Sequence, residues 1–403
     1  MEQFDSIICI SQTPWEGDFQ KAIVQLMSCL SVRHRVLYVD YQYTLKDWLT
    51  RSAGSETLSV RSSIRGTGSL TIKKLDNGSE VYVWYPPVML PINWLPDKAH
   101  DWLVQWNANR LVKGLHRVMR ELTMQSPLVV NAFNPVSGLT MLHRLNERAT
   151  LYYCFDEISV ERWTSRHGKR YEALYLQRVD AVVTTSETLR RIKSTLQPNA
   201  FCVKNGVNFK LFNQALALAS EQPALAKPVV GYLGTADNRI DLDLVEHCVR
   251  AMPDVLFQFI GDVNEPLITQ RLSRYSNVDF IPPHQPHALP RFLAQLTAAI
   301  IPYVCNAHTY TIYPLKINEY LAAGLPVVST PFSLLDDFDG IIELANNPAD
   351  FVLALQRALT DESPLRRAAR IATAQSNSWE KRAEEFEAIM AQFVHLPQQA
   401  API

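Results

Sequence analysis

The residues best suited to chemistry fall in three short stretches. The first, Tyr310–Pro331, reads YTIYPLKINEYLAAGLPVVSTP. Pro314 suits the first turn of a helix, Gly324 stops that helix, and Pro326 opens the next strand. Lys316 and Glu319 lie three apart, so they share one helical face near its N-terminus. Free backbone N–H groups at such an end attract anions. A lysine there can neutralise a phosphate, and a carboxylate one turn on can accept hydroxyl hydrogen bonds from a ribose. A surface ion pair is the competing reading of the same two residues.

The second stretch, Val229–Asp243, reads as a strand, a glycine turn and a helix capped by Asp241. Gly231 and Gly234 let a ligand approach the backbone. Arg239 in the turn has the fork geometry for a diphosphate, or it pairs with Asp237 or Asp241. Asp241-Leu-Asp243 matches a metal-binding triplet, but it opens a helix, so capping is the expected role. In the third stretch, Asp180–Phe212, Ser186 caps a helix and Asn205-Gly206 turns the chain out of a strand. The six cysteines contain no CxxC pair, so neither a zinc site nor a disulfide framework is signalled, and reduced thiols are expected.

These residues need elements to hold them. Short β-branched runs alternate with helical patterns. Strands are expected at Ser6–Ile10, Arg35–Asp40, Leu70–Leu75, Glu80–Trp84, Leu128–Asn131, Leu151–Phe155, Ala181–Thr184 and Phe201–Lys204. Helices are expected at Phe19–Leu30, Asn109–Leu122, Ser137–Leu145, Lys169–Arg178 and Ser186–Leu196. Asn77-Gly78 signals a hairpin. Gln214–Lys227 lacks a clear buried face and reads as an interdomain connection. A second alternation then runs from Val229 to Ser329. The fold class is therefore α/β, with two Rossmann-like doubly wound domains, residues 1–213 and 228–377. The amphipathic segment Ser378–Phe393, extended to 378–395 as a helix, packs back on the first domain or stays on the second. Trp84–Trp106 breaks the pattern with five aromatic residues and four prolines: Trp84, Tyr85, Trp94, Trp102 and Trp106, with Pro86, Pro87, Pro91 and Pro96. It reads as a packed loop or irregular helix, or as a patch meeting an apolar acceptor or a membrane surface.

Composition narrows the function. The chain has 403 residues, and 39 basic against 40 acidic residues leave a net charge of −1. At about 150 residues per domain, two or three domains are expected. The 47% apolar and 20% charged content fits a globular enzyme rather than a disordered chain. A near-zero balance argues against nucleic-acid binding. No stretch approaches the roughly 20 apolar residues of a membrane span, and the start lacks the basic flank of a secretory signal. A cytoplasmic location is expected, with peripheral contact at the inner face of the membrane if the aromatic patch meets it.

Together the three stretches resemble the GT-B glycosyltransferases, and among them the retaining, nucleotide-sugar-dependent family four. The resemblance runs from about Leu151 to Trp379 and is carried by VDAVVTTSETL, VKNGVNFKLF, VGYLGT…RID, FQFIGD and PLKINEYLAAGLPVVST. The opening, SQTPWEGDFQKAIVQLMSCLSVRHRVLYVD, is similar to the acceptor domain of bacterial polysaccharide-type members. The resemblance implies two domains facing a central cleft and a donor nucleotide sugar on the second. Glu319 would hold the ribose hydroxyls, Arg239 and Lys316 the diphosphate, and Gly234 and Thr235 would lie at the phosphates. Asp262 would sit at the base or ribose edge, with Tyr313, Pro314 and Leu315 beside the nucleotide sugar. Asp156 would touch the sugar or acceptor, and Trp15, Glu16, Gly17 and Asp18 would border the acceptor, which is a glycan, lipid-linked or small molecule. Departure of the diphosphate would be assisted by cations and helix amides, without metal or resident cofactor. Two positions depart from the family pattern. Thr311 stands where many relatives have a first glutamate, and Asp243 and its neighbours occupy the stretch of a phosphate lysine. A non-catalytic partner subunit is the main alternative, and a nucleotide-sugar epimerase a more distant one.

Overall fold

A computed structural model describes residues 4, 6–17, 21–50, 68–158, 166–221, 226–361 and 363–393. The chain divides into two compact units, Met1–Lys204 with Arg382–Ile403, and Asn205–Lys381.

The first unit is built on an eight-stranded sheet, ordered β3-β4-β2-β1-β5-β6-β7-β8. Its strands are β1 (Ser6–Ser11), β2 (Arg35–Val39), β3 (Ser69–Lys74), β4 (Glu80–Tyr85), β5 (Leu128–Ala132), β6 (Ala149–Cys154), β7 (Ala181–Thr184) and β8 (Ala200–Cys202). All neighbours are parallel except β3 and β4. Those two form the hairpin that Asn77-Gly78 signals, with Lys74 opposite Glu80. The central strands β1, β5 and β6 are buried at every residue, as continuous apolar runs in a parallel sheet must be.

The second unit carries a six-stranded, all-parallel sheet, ordered β11-β10-β9-β12-β13-β14. Its strands are β9 (Val229–Leu233), β10 (Leu256–Ile260), β11 (Val278–Ile281), β12 (Ala298–Ile301), β13 (Val327–Ser329) and β14 (Glu343–Leu344). Edge strand β14 has only two residues, too short to produce a period, and the sequence reading missed it.

Three sequence expectations change. Residues 205–213, expected in the first domain, belong to the second unit, where Val207 and Phe212 join its core. Gln214–Ser220 is a helix rather than an open connection, anchored through Ala215. The Trp84–Trp106 segment is not one patch. Trp84 and Tyr85 are buried in β4. Trp102 and Trp106 belong to a 25-residue helix, Asp97–Glu121, which starts a dozen residues before the expected Asn109. Its buried positions Val104, Ala108, Leu111 and Leu115 recur at spacings of four, three and four, so the helix period was present under the aromatic clutter.

At the C-terminus, the helix Trp379–Phe393 leaves the second unit after Lys381. In the first unit its Glu387 accepts from Arg33 Nη1 and pairs with His34 Nε2, both at 2.7 Å. Phe386 meets the edge of the Tyr153 ring at 5.9 Å.

Candidate functional site

The second unit gathers its unusual residues at the carboxyl ends of β9, β10 and β12. Gly234 follows β9 and Gly261 follows β10, both with positive φ, +113° and +137°. A Cβ on Gly261 would lie 2.7 Å from the Gly234 carbonyl oxygen, so the two turns nest only because Gly261 lacks a side chain. The loops then run side by side. Ala236 N–H donates to Asp262 O at 2.8 Å, and Asn264 N–H to Ala236 O at 2.9 Å. Thr235 is half-buried, and its carbonyl accepts from the Tyr232 hydroxyl at 2.9 Å. Asp262 is half-buried beside it.

Arg239 is fixed by the end of β12. Its carbonyl accepts from Val304 N–H at 2.8 Å, and Ile240 bridges to Tyr303. The competing reading of Arg239 holds in part: Asp237 takes Nε at 2.8 Å and Nη2 at 2.6 Å. Among the described residues no hydrogen bond occupies Nη1. Burial alone would lower the guanidinium pKa, but Asp237 and the Tyr303 ring hold it above the usual arginine range. The charge is therefore permanent, and Asp237 orients it. Asp241 caps the helix Leu242–Ala251, accepting from Leu244 N–H at 3.0 Å. Asp243 pairs with Arg271 at 2.7 Å on the exposed side. The metal-triplet reading has no support in that arrangement.

Lys316 arrives from the helix Leu315–Ala322. Pro314 occupies the N-cap position, one residue before the expected first turn, and no side chain caps this end. A Cβ on Gly234 would stand 2.5 Å from Lys316 Cε, so the glycine makes room for the lysine stem. Lys316 Nζ donates to the Tyr303 hydroxyl at 3.2 Å and lies 5.4 Å from the Tyr232 ring centre. Arg239 Cζ lies 5.5 Å from the Tyr303 ring centre, and Lys316 Nζ 5.9 Å. Guanidinium and ammonium thus converge on one phenol. Burial raises the Tyr303 pKa, yet the two cations outweigh it and hold the group below the usual tyrosine range.

Glu319 lies one turn further on, half-buried, and makes no side-chain hydrogen bond or ion pair among the described residues. The competing reading, a surface pair with Lys316, finds no such ion pair among the described residues. Burial pushes the Glu319 carboxyl up to about 7, with Lys316 pulling the other way. Leu315 is half-buried at the first turn. Tyr313 points elsewhere: its ring is buried 5.9 Å from Phe338, and its hydroxyl donates to Asp337 at 3.1 Å. Thr311 is buried in a 3-10 turn and donates to His308 O at 2.7 Å.

The structure therefore brings Gly234, Arg239 and Lys316 to one point, with Thr235 and Asp262 on the adjoining loops and Glu319 one turn along the Lys316 helix. Sequence reasoning missed Tyr303, Tyr232 and Tyr320, whose hydroxyl accepts from Leu233 N–H at 2.7 Å. The signal was a tyrosine at or just beyond the end of each of two strands and one inside the motif helix.

Asp156 belongs to the first unit, just past β6. Its Oδ1 accepts from Glu157 N–H at 2.8 Å. In the same unit Trp15 N–H donates to Asp40 Oδ1 at 2.6 Å, and Glu16 pairs with Lys73 at 2.5 Å. Burial pushes the Asp40 carboxyl up to about 6, against the Trp15 and Tyr41 hydrogen bonds. Asp18 lies outside the described residues.

Comparison with known proteins bears on the family and the fold. Residues 227–361 match the family model for glycosyl transferases group 1. A Bacillus subtilis (strain 168) protein named as the teichuronic acid biosynthesis glycosyltransferase TuaH is 28% identical over 204 residues, covering 47% of this chain. The chain matches about half of that relative's length, 51%. The whole fold is similar to the Burkholderia multivorans trehalose 6-phosphate synthase, with a TM-score of 0.67 at 11% identity over 96% of this chain and 98% of that one. It is also similar to the Escherichia coli trehalose-6-phosphate structure bound with UDP-2-fluoro glucose, at 0.65 and 10% over 97% and 99%. The catalytic domain of Arabidopsis thaliana starch synthase IV, bound to ADP and acarbose, gives 0.62 and 10% over 97% and 100%. The fold is that of the GT-B glycosyltransferases.

Proposed function

We propose that this chain transfers a sugar from a nucleotide-diphosphate sugar to a hydroxyl acceptor, with retention, in the synthesis of a cell-surface polysaccharide or glycoconjugate. One observation carries the reading: Arg239 and Lys316 converge on Tyr303 beside an uncapped helix N-terminus, with a carboxylate one turn on that has no partner among the described residues. That is a site for a dianion followed by a diol.

The donor diphosphate would lie against the Arg239 Nη1 edge, the Lys316 ammonium and the N–H groups of the first turn from Leu315. Gly234 and Thr235 would line the phosphates, and Asp262 the base or ribose edge. Glu319 would accept from the ribose hydroxyls. As the sugar–phosphate bond stretches, negative charge collects on the leaving oxygen, and cations already in place stabilise it without reorganising. Each such donor typically contributes roughly 3 kcal/mol in the transition state. No strong protein nucleophile is needed, and no metal enters this scheme. Asp156 is assigned to the sugar or the acceptor hydroxyl. Retention, membership of family four and the acceptor class (a glycan, a lipid-linked or a small molecule) follow from the sequence resemblance. The name of the Bacillus relative supports a polysaccharide product, and the UDP-sugar in the E. coli structure supports a nucleotide donor. Among the described residues no helix is long and apolar enough to cross a membrane. Cytoplasmic action, with peripheral contact at the membrane, is part of the same reading.

Thr311, in place of a first acid, favours a second reading, a partner subunit without activity. Incubation of the purified protein with a panel of nucleotide sugars separates the two. Release of nucleoside diphosphate supports the transferase; no turnover with any donor, with or without acceptors, supports the silent subunit.

A further inference from the structure

A chain of hydrogen bonds leads away from the Lys316 ammonium, and counting protons fixes its direction. The Tyr232 hydroxyl donates to the Thr235 carbonyl at 2.9 Å. A phenol has one proton to give, and a carbonyl has none. With both phenols protonated, Tyr303 is therefore the donor in the 3.2 Å contact between the Tyr232 and Tyr303 hydroxyls. The Tyr303 oxygen is left to accept, and Lys316 Nζ, which can only donate, supplies that bond at 3.2 Å. The order is Lys316, Tyr303, Tyr232, Thr235. Every link points the same way, and hydrogen bonds so aligned polarise one another.

Tyr303 is held firmly in this chain. Its side chain and that of Tyr232 are buried, and its ring packs edge-on against Phe332 at 4.9 Å. Its main chain is pinned on two sides, by the bridge to Ile240 and by Thr330 Oγ1, which donates to the Tyr303 carbonyl at 2.6 Å. The ammonium is thus tied to a fixed atom, while the lysine stem occupies the room that Gly234 leaves.

We propose that Tyr303 is a positioning residue of the donor site: through this chain it holds the Lys316 ammonium beside Gly234, where the diphosphate is to lie. The inference deepens the sugar-transfer reading and rests on it for the identity of the anion. A phenol suits this task better than a carboxylate. It accepts the hydrogen bond yet leaves the positive charge to a ligand, whereas a carboxylate would cancel it. A phenylalanine would offer the ammonium a ring face but no fixed acceptor. The chain also joins three segments distant in sequence, the turn after β9, the residues after β12 and the helix from Leu315, so the phosphate turn and the ammonium keep one spacing.

Titration calorimetry with inorganic pyrophosphate on the full-length protein tests the proposal through a double-mutant cycle. Lys316→Met should weaken binding about 10- to 100-fold, as expected for a lost charge-assisted hydrogen bond. Tyr303→Phe should weaken it roughly tenfold while Lys316 is present, and less than about twofold in the Lys316→Met background. Tyr232→Phe removes the next link and should cost about threefold, again only with Lys316 in place. Thermal unfolding checks that each variant folds, and should Tyr303→Phe fail to fold, Tyr232→Phe makes the same test. Three results would overturn the proposal: no pyrophosphate binding by wild type, wild-type affinity in the folded tyrosine variants, or equal losses with and without Lys316. The last would mark a structural role independent of the ammonium. Release of nucleoside diphosphate from a panel of nucleotide sugars is measured on the same proteins. There Tyr303→Phe should lower kcat by more than it raises KM, because a misplaced cation costs most as charge develops. A wild type that shows this pyrophosphate pattern but turns over no donor would sink the transfer reading and leave the positioning of Lys316 standing.

Discussion

Each unit holds a lysine among carboxylates and tyrosines, and the two lysines are treated in opposite ways. In the first unit Lys193 is buried and donates to Glu157 at 2.9 Å and Glu172 at 2.8 Å, while the Tyr152 hydroxyl completes Glu172 at 2.9 Å. Burial would lower the Lys193 pKa, but Cys154, Glu172 and Glu157 together hold it above the usual lysine range. In the second unit, among the described residues, Lys316 has only a phenol oxygen and two ring faces, and Glu319 has no partner. A charge already satisfied inside the protein is structural. A charge left with weak partners beside an uncapped helix end still has interaction energy to give a ligand.

The contrast can be broken from either side. The largest effect is expected in the first unit. Lys193→Met leaves two carboxylates facing each other without a cation, and should cost about 3–5 kcal/mol of stability. Urea unfolding measures it, and a loss below 1 kcal/mol would show that the cluster holds little together. The folded variant should keep its donor affinity.

Arg239→Ala tests the other side. Turnover should fall about 10²–10³-fold, because the developing charge loses a preorganised partner. Initial rates of nucleoside diphosphate release measure this, and an unchanged rate would remove Arg239 from the diphosphate. Stability should change little, since Asp237 is left half-exposed rather than sealed in.

Glu319→Ala should reduce donor affinity by about 1.5–3 kcal/mol, the range for hydrogen bonds to a charged group. Titration calorimetry with the nucleoside diphosphate decides it. The last effect concerns pH. The folded Glu319 carboxyl lies near 7, above its ordinary 4.5, so between these values the native state binds more protons than the unfolded one. Its contribution is fully present below pH 4.5 and is lost as pH rises through 7. Glu319→Gln should flatten that part of the stability profile. Nucleotide binding to the ionised form should release a proton near pH 6.5, visible as a buffer-dependent heat.

Much of the candidate site was legible because its parts are local. Pro314, Lys316, Glu319 and Gly324 lie within one helix and its ends, where spacing fixes relative placement. The Asp241 and Ser186 caps were legible for the same reason, since a cap joins residues three apart. The buried direction of Tyr313 was not, because the side of a chain that faces a core depends on Phe338 and Asp337, more than twenty residues away.

The sequence alone determined the α/β alternation, the two successive sheets and the three motif stretches, because period, caps and turn residues act over a few positions. Only the tertiary structure decided that Arg239 and Lys316 meet. They lie 77 residues apart, and their common point is a tyrosine at the end of a third strand, β12. It also decided that Lys193 is silent and Lys316 available, and that Trp84 is core while Trp102 is surface. Burial and partnering depend on which distant segments the parallel sheets bring alongside, and local spacing carries no record of that.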